Sequence, residues 1–341
     1  MKIKSFVFTV LMFLNSAVFS QIDAKDLLFR SNKLYKQGKI EEVIKLLEPT
    51  VHGKMLNSEQ TFDAYRILAL SYMYSLNTEK TDYYMKEMLK LRVDYQKYPN
   101  IDPTEFTKLI NSYEVRPQIY AGICFGVSSF LPQLMKSYSV YTSDQSYERT
   151  SGYQYGGFFE YRLKSNLSVG SDLLINGSSV DHKINDANGW KQEYKEIRKS
   201  ALVTVVGTNY RKLNDVVNVY CGVGLGMNVL TSSRGNIILR SNQSDLILQS
   251  TTNTILERNK ISPVGLLRLG VDFETNRGKI GIDLTYVNYF NTTVNSEKRY
   301  NNTDFIFTNQ YVSDDIKLKG LMLNLSYKVP IKWVVKQNLN K

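Results

Sequence analysis

The chain has 341 residues, a formal net charge of +11 and only two cysteines and two histidines. Metal binding needs several His, Cys or carboxylate ligands together, and the sequence holds no such cluster. Beyond residue 20 no run of 18 apolar residues occurs, which excludes a membrane-spanning helix but not a membrane barrel, whose signal is far weaker per segment.

The first twenty residues join a basic start, Met-Lys-Ile-Lys, to the apolar run FVFTVLMFLNSAVF and the small Ser20. This is the pattern of a secretory signal peptide, so residues 1–20 are expected to be removed and the mature chain to begin near Gln21. No cysteine follows, which excludes a lipidated N-terminus. About 320 remaining residues suggest two domains. Their charge is uneven: residues 21–116 hold 15 Lys/Arg against 14 Asp/Glu, and 117–341 hold 26 against 18. For an exported chain that excess favours an anionic membrane surface over nucleic acid.

Residues 24–113 repeat at the helical period. AKDLLFRSNKLYKQG stops at Gly38, KIEEVIKLLEPT breaks at Pro49, and a second pair follows in SEQTFDAYRILALSYMYSL and TEKTDYYMKEMLKLRVDY. Asp102-Pro103-Thr104-Glu105 then reads as a cap, an N1 proline and an N3 carboxylate opening a fifth helix. In the second pair Tyr65, Leu68, Ala69 and Tyr72 match the first helix of a tetratricopeptide repeat in type and spacing. Thr81, Met85 and Val93 depart from the residues usual in the second. The resemblance covers about 75 residues and implies a concave surface for a partner protein, with Tyr35, Tyr65, Tyr72 and Tyr84 as its expected groove residues. The plainer reading is a helical spacer.

From Pro117 the period changes to two. Eight runs of about ten residues alternate an apolar with a polar or small face: 119–127, 153–163, 167–175, 200–210, 219–229, 263–273, 280–290 and 319–329. The two faces of 200–210 cannot be told apart. Short connections (164–166, 211–218, 274–279) alternate with long polar ones (128–152, 176–199, 231–262, 291–318). Runs of this length in this rhythm are the signature of a transmembrane barrel with turns at one end and loops at the other. The expected fold is thus α+β and multidomain: a signal peptide (1–20), an antiparallel helical, TPR-like domain (21–116), an eight-stranded up-and-down antiparallel transmembrane β-barrel (117–330) and a tail (331–341). An even strand count puts the helical domain and the tail on one side, the periplasm. Signal peptide, helical stretch ending NIDPTEFTKLINSYEVRP and eight-run barrel together resemble the outer-membrane barrel proteins of Bacteroidota-type bacteria. That resemblance implies an outer-membrane location and carries over no catalytic residue.

Candidate chemistry is sparse. In VYCGVGLGMNVL the glycines Gly222, Gly224 and Gly226 suggest a phosphate loop, but G-x-G-x-x-G lacks its third glycine and the alternation runs straight through. No cofactor site is expected. If apolar residues face lipid, the inward set includes Glu160, Arg162, Asp172, Arg268, Asp272, Asp283, Asn324 and Lys328. Charges of both signs can pair there, and eight strands leave a lumen that side chains can fill. The three glycines are expected to make room for long side chains from across the lumen. His182, with Ser178, Ser179 and Asp181, is the one cluster suggestive of catalysis, and a solvent-facing loop histidine is its plainer reading. Cys124 faces inward and Cys221 outward on opposite strands, so no disulfide is expected. The functional reading is non-enzymatic: a barrel in outer-membrane lipid whose helical domain docks an envelope or secretion partner. A narrow pore or loop-based receptor is the alternative, and a lipid-modifying enzyme the lesser one.

Overall fold

The computed structural model describes residues 24–53, 55–93, 95, 102–138, 144–185, 189–241 and 246–337. The signal segment 1–20 lies outside them. The chain divides into two compact units, Met1–Arg116 with Trp333–Lys341, and Pro117–Lys332.

In the first unit, helix α1 covers 24–36 and turns at Gly38, whose φ of +75° suits a residue without Cβ. Helix α2, Ile40–Val51, continues through Pro49. That proline sits in the last turn, so one backbone hydrogen bond is lost where the helix was about to end, and the expected break does not occur. Helix α3, Ser58–Tyr74, opens on a reciprocal capping box between Asn57 and Gln60. A three-residue connection leads into α4, Thr78–Leu91, and α5 covers Thr104–Asn111. Asp102 does not cap α5. Its carboxylate is held by Arg66 and accepts the Tyr95 hydroxyl at 2.7 Å, and Pro103 takes the cap position instead. The core joins Val43, Leu47, Phe62, Leu68, Met85 and Phe106, together with Val335 from the C-terminal stretch.

The second unit is built on ten strands: β1 Tyr113–Lys136, β2 Asp144–Glu148, β3 Thr150–Arg162, β4 Leu167–Asn185, β5 Trp190–Lys212, β6 Val217–Ser241, β7 Ile247–Asn253, β8 Ile261–Thr275, β9 Gly278–Tyr289 and β10 Asp315–Gln337. Eight of them pair in the order β1-β3-β4-β5-β6-β8-β9-β10, and β10 returns beside β1 to close the ring. The registers between successive ring strands are antiparallel. The eight alternating runs fall on these ring strands. Short β2 and β7 are additions, paired to the far halves of β4 and β6.

Outside the ring, apolar side chains stand exposed in a band: Phe125, Leu173, Val205, Leu225, Leu269 and Leu323 are representative. Alternation sends their neighbours inward. The ambiguous stretch 200–210 resolves this way, with Leu202, Thr204 and Val206 buried and Val203 and Val205 exposed. The long connections are not loops throughout. Ladders carry β4–β5 to Asn185 and Lys191, and β5–β6, across one register shift between Lys199 and Ser200, to Trp190 and Ser241, well past the apolar band. Two short 3-10 turns, Ile255–Glu257 and Ser296–Lys298, and helix α6, Thr303–Asn309, fold among these extensions. They form a cap over one end of the ring, opposite the short turns. No helix among the described residues is long and apolar enough to cross a membrane.

Candidate functional site in the lumen and its cap

All eight polar residues expected inside the ring face the lumen, where they form two ion-paired groups. Near the turn end, Arg162 reaches Glu160 at 3.3 Å, and its guanidinium lies over the rings of Tyr120 and Tyr210. Lys328 Nζ sits 2.7 Å from Asp272 and 3.7 Å from Glu160, and the Tyr210 hydroxyl donates to Glu160 at 2.8 Å. A second group surrounds Arg268, which contacts Asp172 at 2.5 Å and Asp283 at 3.7 Å. Asn324 donates to Asp283 at 2.9 Å and accepts from Gln154 at 2.8 Å, linking three strands. Nearer the cap the lumen is apolar, with Phe130, Leu174, Leu202, Val264, Leu266 and Val287 packed together. A purely polar interior was therefore too simple an expectation. The space left beside these groups measures about 40 Å³.

The glycine face of β6 has a different cause from the one expected. A Cβ on Gly224 would lie 2.6 Å from the Val205 carbonyl oxygen and 2.8 Å from Val206 Cγ2. On Gly226 it would meet the Val203 carbonyl oxygen at 2.5 Å. The close neighbour is thus the adjacent strand β5, not a charged side chain across the lumen, and the bare face lets two strands approach. Cys124 is buried and Cys221 exposed, and both thiols are free.

In the cap a second ion-paired cluster forms. Arg258 donates to Glu196 through Nε at 2.8 Å and Nη2 at 3.0 Å, and through Nη2 to the Tyr194 hydroxyl at 2.9 Å. Arg198 reaches the same carboxylate at 2.8 Å. Burial would raise the Glu196 pKa, but the two guanidiniums hold it well below the usual carboxylate range. Ser233 also donates to it. A small aromatic core of Tyr194, Ile237, Phe305 and Tyr311 packs beside this cluster. Asp314 accepts the Tyr147 hydroxyl at 2.9 Å and the Tyr138 amide at 2.6 Å, and Arg299 binds Asp315. Residues from all four long connections are thereby tied together. Sequence reasoning missed this layer because it read polar stretches as loop. The usable signal was the unbroken alternation of Gln192, Tyr194, Glu196 and Arg198 with Lys191, Glu193, Lys195 and Ile197.

His182 is not a solvent-facing loop residue. It lies on β4, is 1% exposed, and stacks on Tyr147 with ring centroids 4.1 Å apart. Burial pushes its pKa down to about 4, against the opposite pull of Asp314, whose carboxylate is 4.0 Å from Nε2. Ser178 shares its face of the strand, whereas Ser179 and Asp181 project to the other. The sequence cluster therefore does not converge into a nucleophile–base arrangement. Among the described residues no group of three or more His, Cys, Asp or Glu could hold a metal ion.

The four groove tyrosines of the helical unit separate into two kinds. Tyr84 is fully buried and Tyr72 nearly so, which makes them core residues rather than groove residues. Both donate their hydroxyls to Glu48, at 2.9 and 2.8 Å, and Lys80 reaches the same carboxylate at 2.7 Å. The Lys80 hydrogen bond, followed by those of the tyrosines, outweighs partial burial and lowers the Glu48 pKa. Tyr35 and Tyr65 keep part of their surface, the first tilted against Tyr74 and the second against Tyr84.

No protein-family model matches the chain, and no curated protein sequence resembles it. Among solved structures it is similar to the outer membrane protein OprG from Pseudomonas aeruginosa, at 14% identity and a TM-score of 0.35, over 64% of this chain and 99% of that one. Neisserial surface protein A matches at 11% identity and 0.30, over 64% and 99%. Ail, the attachment invasion locus protein of Yersinia pestis, solved with the heparin analogue sucrose octasulfate, matches at 12% and 0.25, over 62% and 99%. At these scores the likeness adds nothing to the topology already read from the strand registers. A closed antiparallel ring with an apolar exterior and a polar, ion-paired interior is a β-barrel of the outer-membrane type.

Proposed function

We propose that the protein is a non-enzymatic outer-membrane barrel whose helical unit, in the periplasm, docks a partner protein of the envelope or of a secretion machine. The observation that carries this reading is the filled lumen. Ion pairs and apolar side chains occupy it, leaving about 40 Å³ beside the charged network, so the ring serves as an anchor and not as a conduit. The separate helical unit is then a part of the chain free to make contacts, with the tetratricopeptide-like pattern of Tyr65, Leu68, Ala69 and Tyr72 on α3. Partly exposed Tyr35 and Tyr65 are the groove residues retained from the sequence reading. The full chain bearing an affinity tag, captured from detergent-solubilised envelopes, tests it. A defined envelope protein should be retained by the wild type and lost in Tyr35→Ala and Tyr65→Ala variants. Equal retention by all three would remove the docking reading.

A second reading, a receptor working through the cap, is favoured by large apolar side chains that the cap leaves in the open. Phe307 is 80% exposed, Leu256 60% and Tyr300 59%. Such residues are candidates for contact with a ligand outside the cell. Whole-cell binding assays comparing wild type with Phe307→Ser separate this reading from periplasmic docking.

A further inference from the structure

Between the apolar layer of the lumen and the cap core lies a second cavity, of about 30 Å³. Arg198, Arg258, Asn228, Ser262 and Thr293 border it, and no carboxylate does. Glu196 accepts from Arg198 Nη2 and, along the Nε–Nη2 edge, from Arg258 Nε and Nη2, which leaves Arg258 Nη1 unused. Arg198 Nε and Arg258 Nη1 remain without a hydrogen-bond partner among the described residues, and so does the Thr293 hydroxyl. The two side chains are 7% and 2% exposed, so bulk water does not serve them. Buried polar groups are nearly always partnered, and these three unpaired groups belong to residues that border the same cavity.

The local backbone favours such a space. The β5–β6 register shifts between Lys199 and Ser200, leaving Thr231 as an extra residue whose hydroxyl donates to the Lys199 carbonyl at 2.9 Å. A bulge at this point bends β6 and switches which of its residues face inward, from Asn228 before it to Ser233 after it, while β5 keeps Arg198 and Ser200 on the buried face. Glu196 offsets one of the two positive charges at the cavity, and the neighbouring buried Glu257 does not border it.

We propose that this cavity binds one small inorganic anion of halide size, held by Arg198 Nε, Arg258 Nη1 and the Thr293 hydroxyl. The unpaired groups are two cationic N–H donors and a hydroxyl that can donate, a set that matches an anion. At about 30 Å³ the space is large enough for a monoatomic ion or a water. Asn228, whose Oδ1 is also unpartnered, can turn its amide to present N–H instead. The site is independent of what the helical unit docks.

The full-length chain, refolded in detergent micelles, is unfolded thermally in sodium chloride, sodium bromide and sodium gluconate at equal ionic strength. Chloride and bromide should raise the Tm over gluconate in a saturable way, as expected for an ion that binds only the folded state. Arg198→Gln should abolish that increment. Thr293→Val, which removes a hydroxyl with no other partner, should weaken the apparent halide affinity severalfold, and it carries the comparison should Arg198→Gln fail to fold. Crystals grown in bromide should give an anomalous peak inside the cavity. Equal Tm values in the three salts, or cavity density without anomalous signal at saturating bromide, would mean that the occupant is an ordered water and would overturn the proposal.

Discussion

Gly224 and His182 show how a residue's neighbours, and not its type, decide what it does. At Gly224 the limit is the 2.6 Å approach of the Val205 carbonyl oxygen to any Cβ. Backbone cannot move aside as a flexible side chain can, so Gly224→Leu should prevent the β5–β6 ladder from closing. Refolding yield, read from the mobility difference of heated and unheated protein in gel electrophoresis, should fall severalfold, while a Leu at exterior Met227 changes little. His182 carries a pH dependence. Its folded pKa is depressed from 6.5 to about 4, so between these values the unfolded chain binds a proton that the folded chain does not. Stability is therefore full above about pH 6.5 and falls as the pH drops toward 4, by up to about 1.36 kcal/mol per pH unit. His182→Phe keeps a ring against Tyr147 and should flatten that part of a Tm-against-pH curve. An unchanged slope would assign the effect to another group.

At the scale of elements, charged side chains tie together strands distant in sequence. Lys328 on β10 bridges Asp272 on β8 and Glu160 on β3, all buried. Lys328→Met leaves Asp272 without its cation and Glu160 with Arg162 alone, and breaking a buried pair from one side costs about 3–5 kcal/mol. Adding Asp272→Asn should recover part of that loss, because residues in one network are not additive. Urea midpoints of the refolded single and double variants measure both effects, and a double variant weaker than the single would refute the coupling. The same logic explains the cap. Its strands continue beyond the apolar band because Glu196, Arg258 and the Tyr194–Tyr311 stack (centroids 4.5 Å apart) give polar extensions a buried inner face.

For the whole molecule the question is what fills the lumen. Ion pairs stand near the turn end and an apolar layer of Leu174, Leu202 and Val287 nearer the cap, an arrangement that suits the proposed anchor. Planar bilayers containing the refolded wild type should show no conductance above an empty-detergent control. Steady channel events removed by restoring bulk at the lumen, as in Val206→Phe, would establish the pore reading in place of the anchor.

Much of this was legible in the chain itself. Periods of 3.6 and 2 separated the helical unit from the ring, and alternation along Val219–Val229 or Leu321–Leu325 sorted exterior from interior, because strand geometry makes that sorting local. Glu160, Asp172, Arg268 and Lys328 could be assigned to the lumen on the same ground. Other features depended on which strands lie side by side. The role of Gly224, the burial of His182 on Tyr147, and the gathering of Arg198, Arg258 and Glu196 in a cap all join residues far apart along the chain. Periodicity reports which face a residue takes; only closure of the ring decides what stands opposite that face.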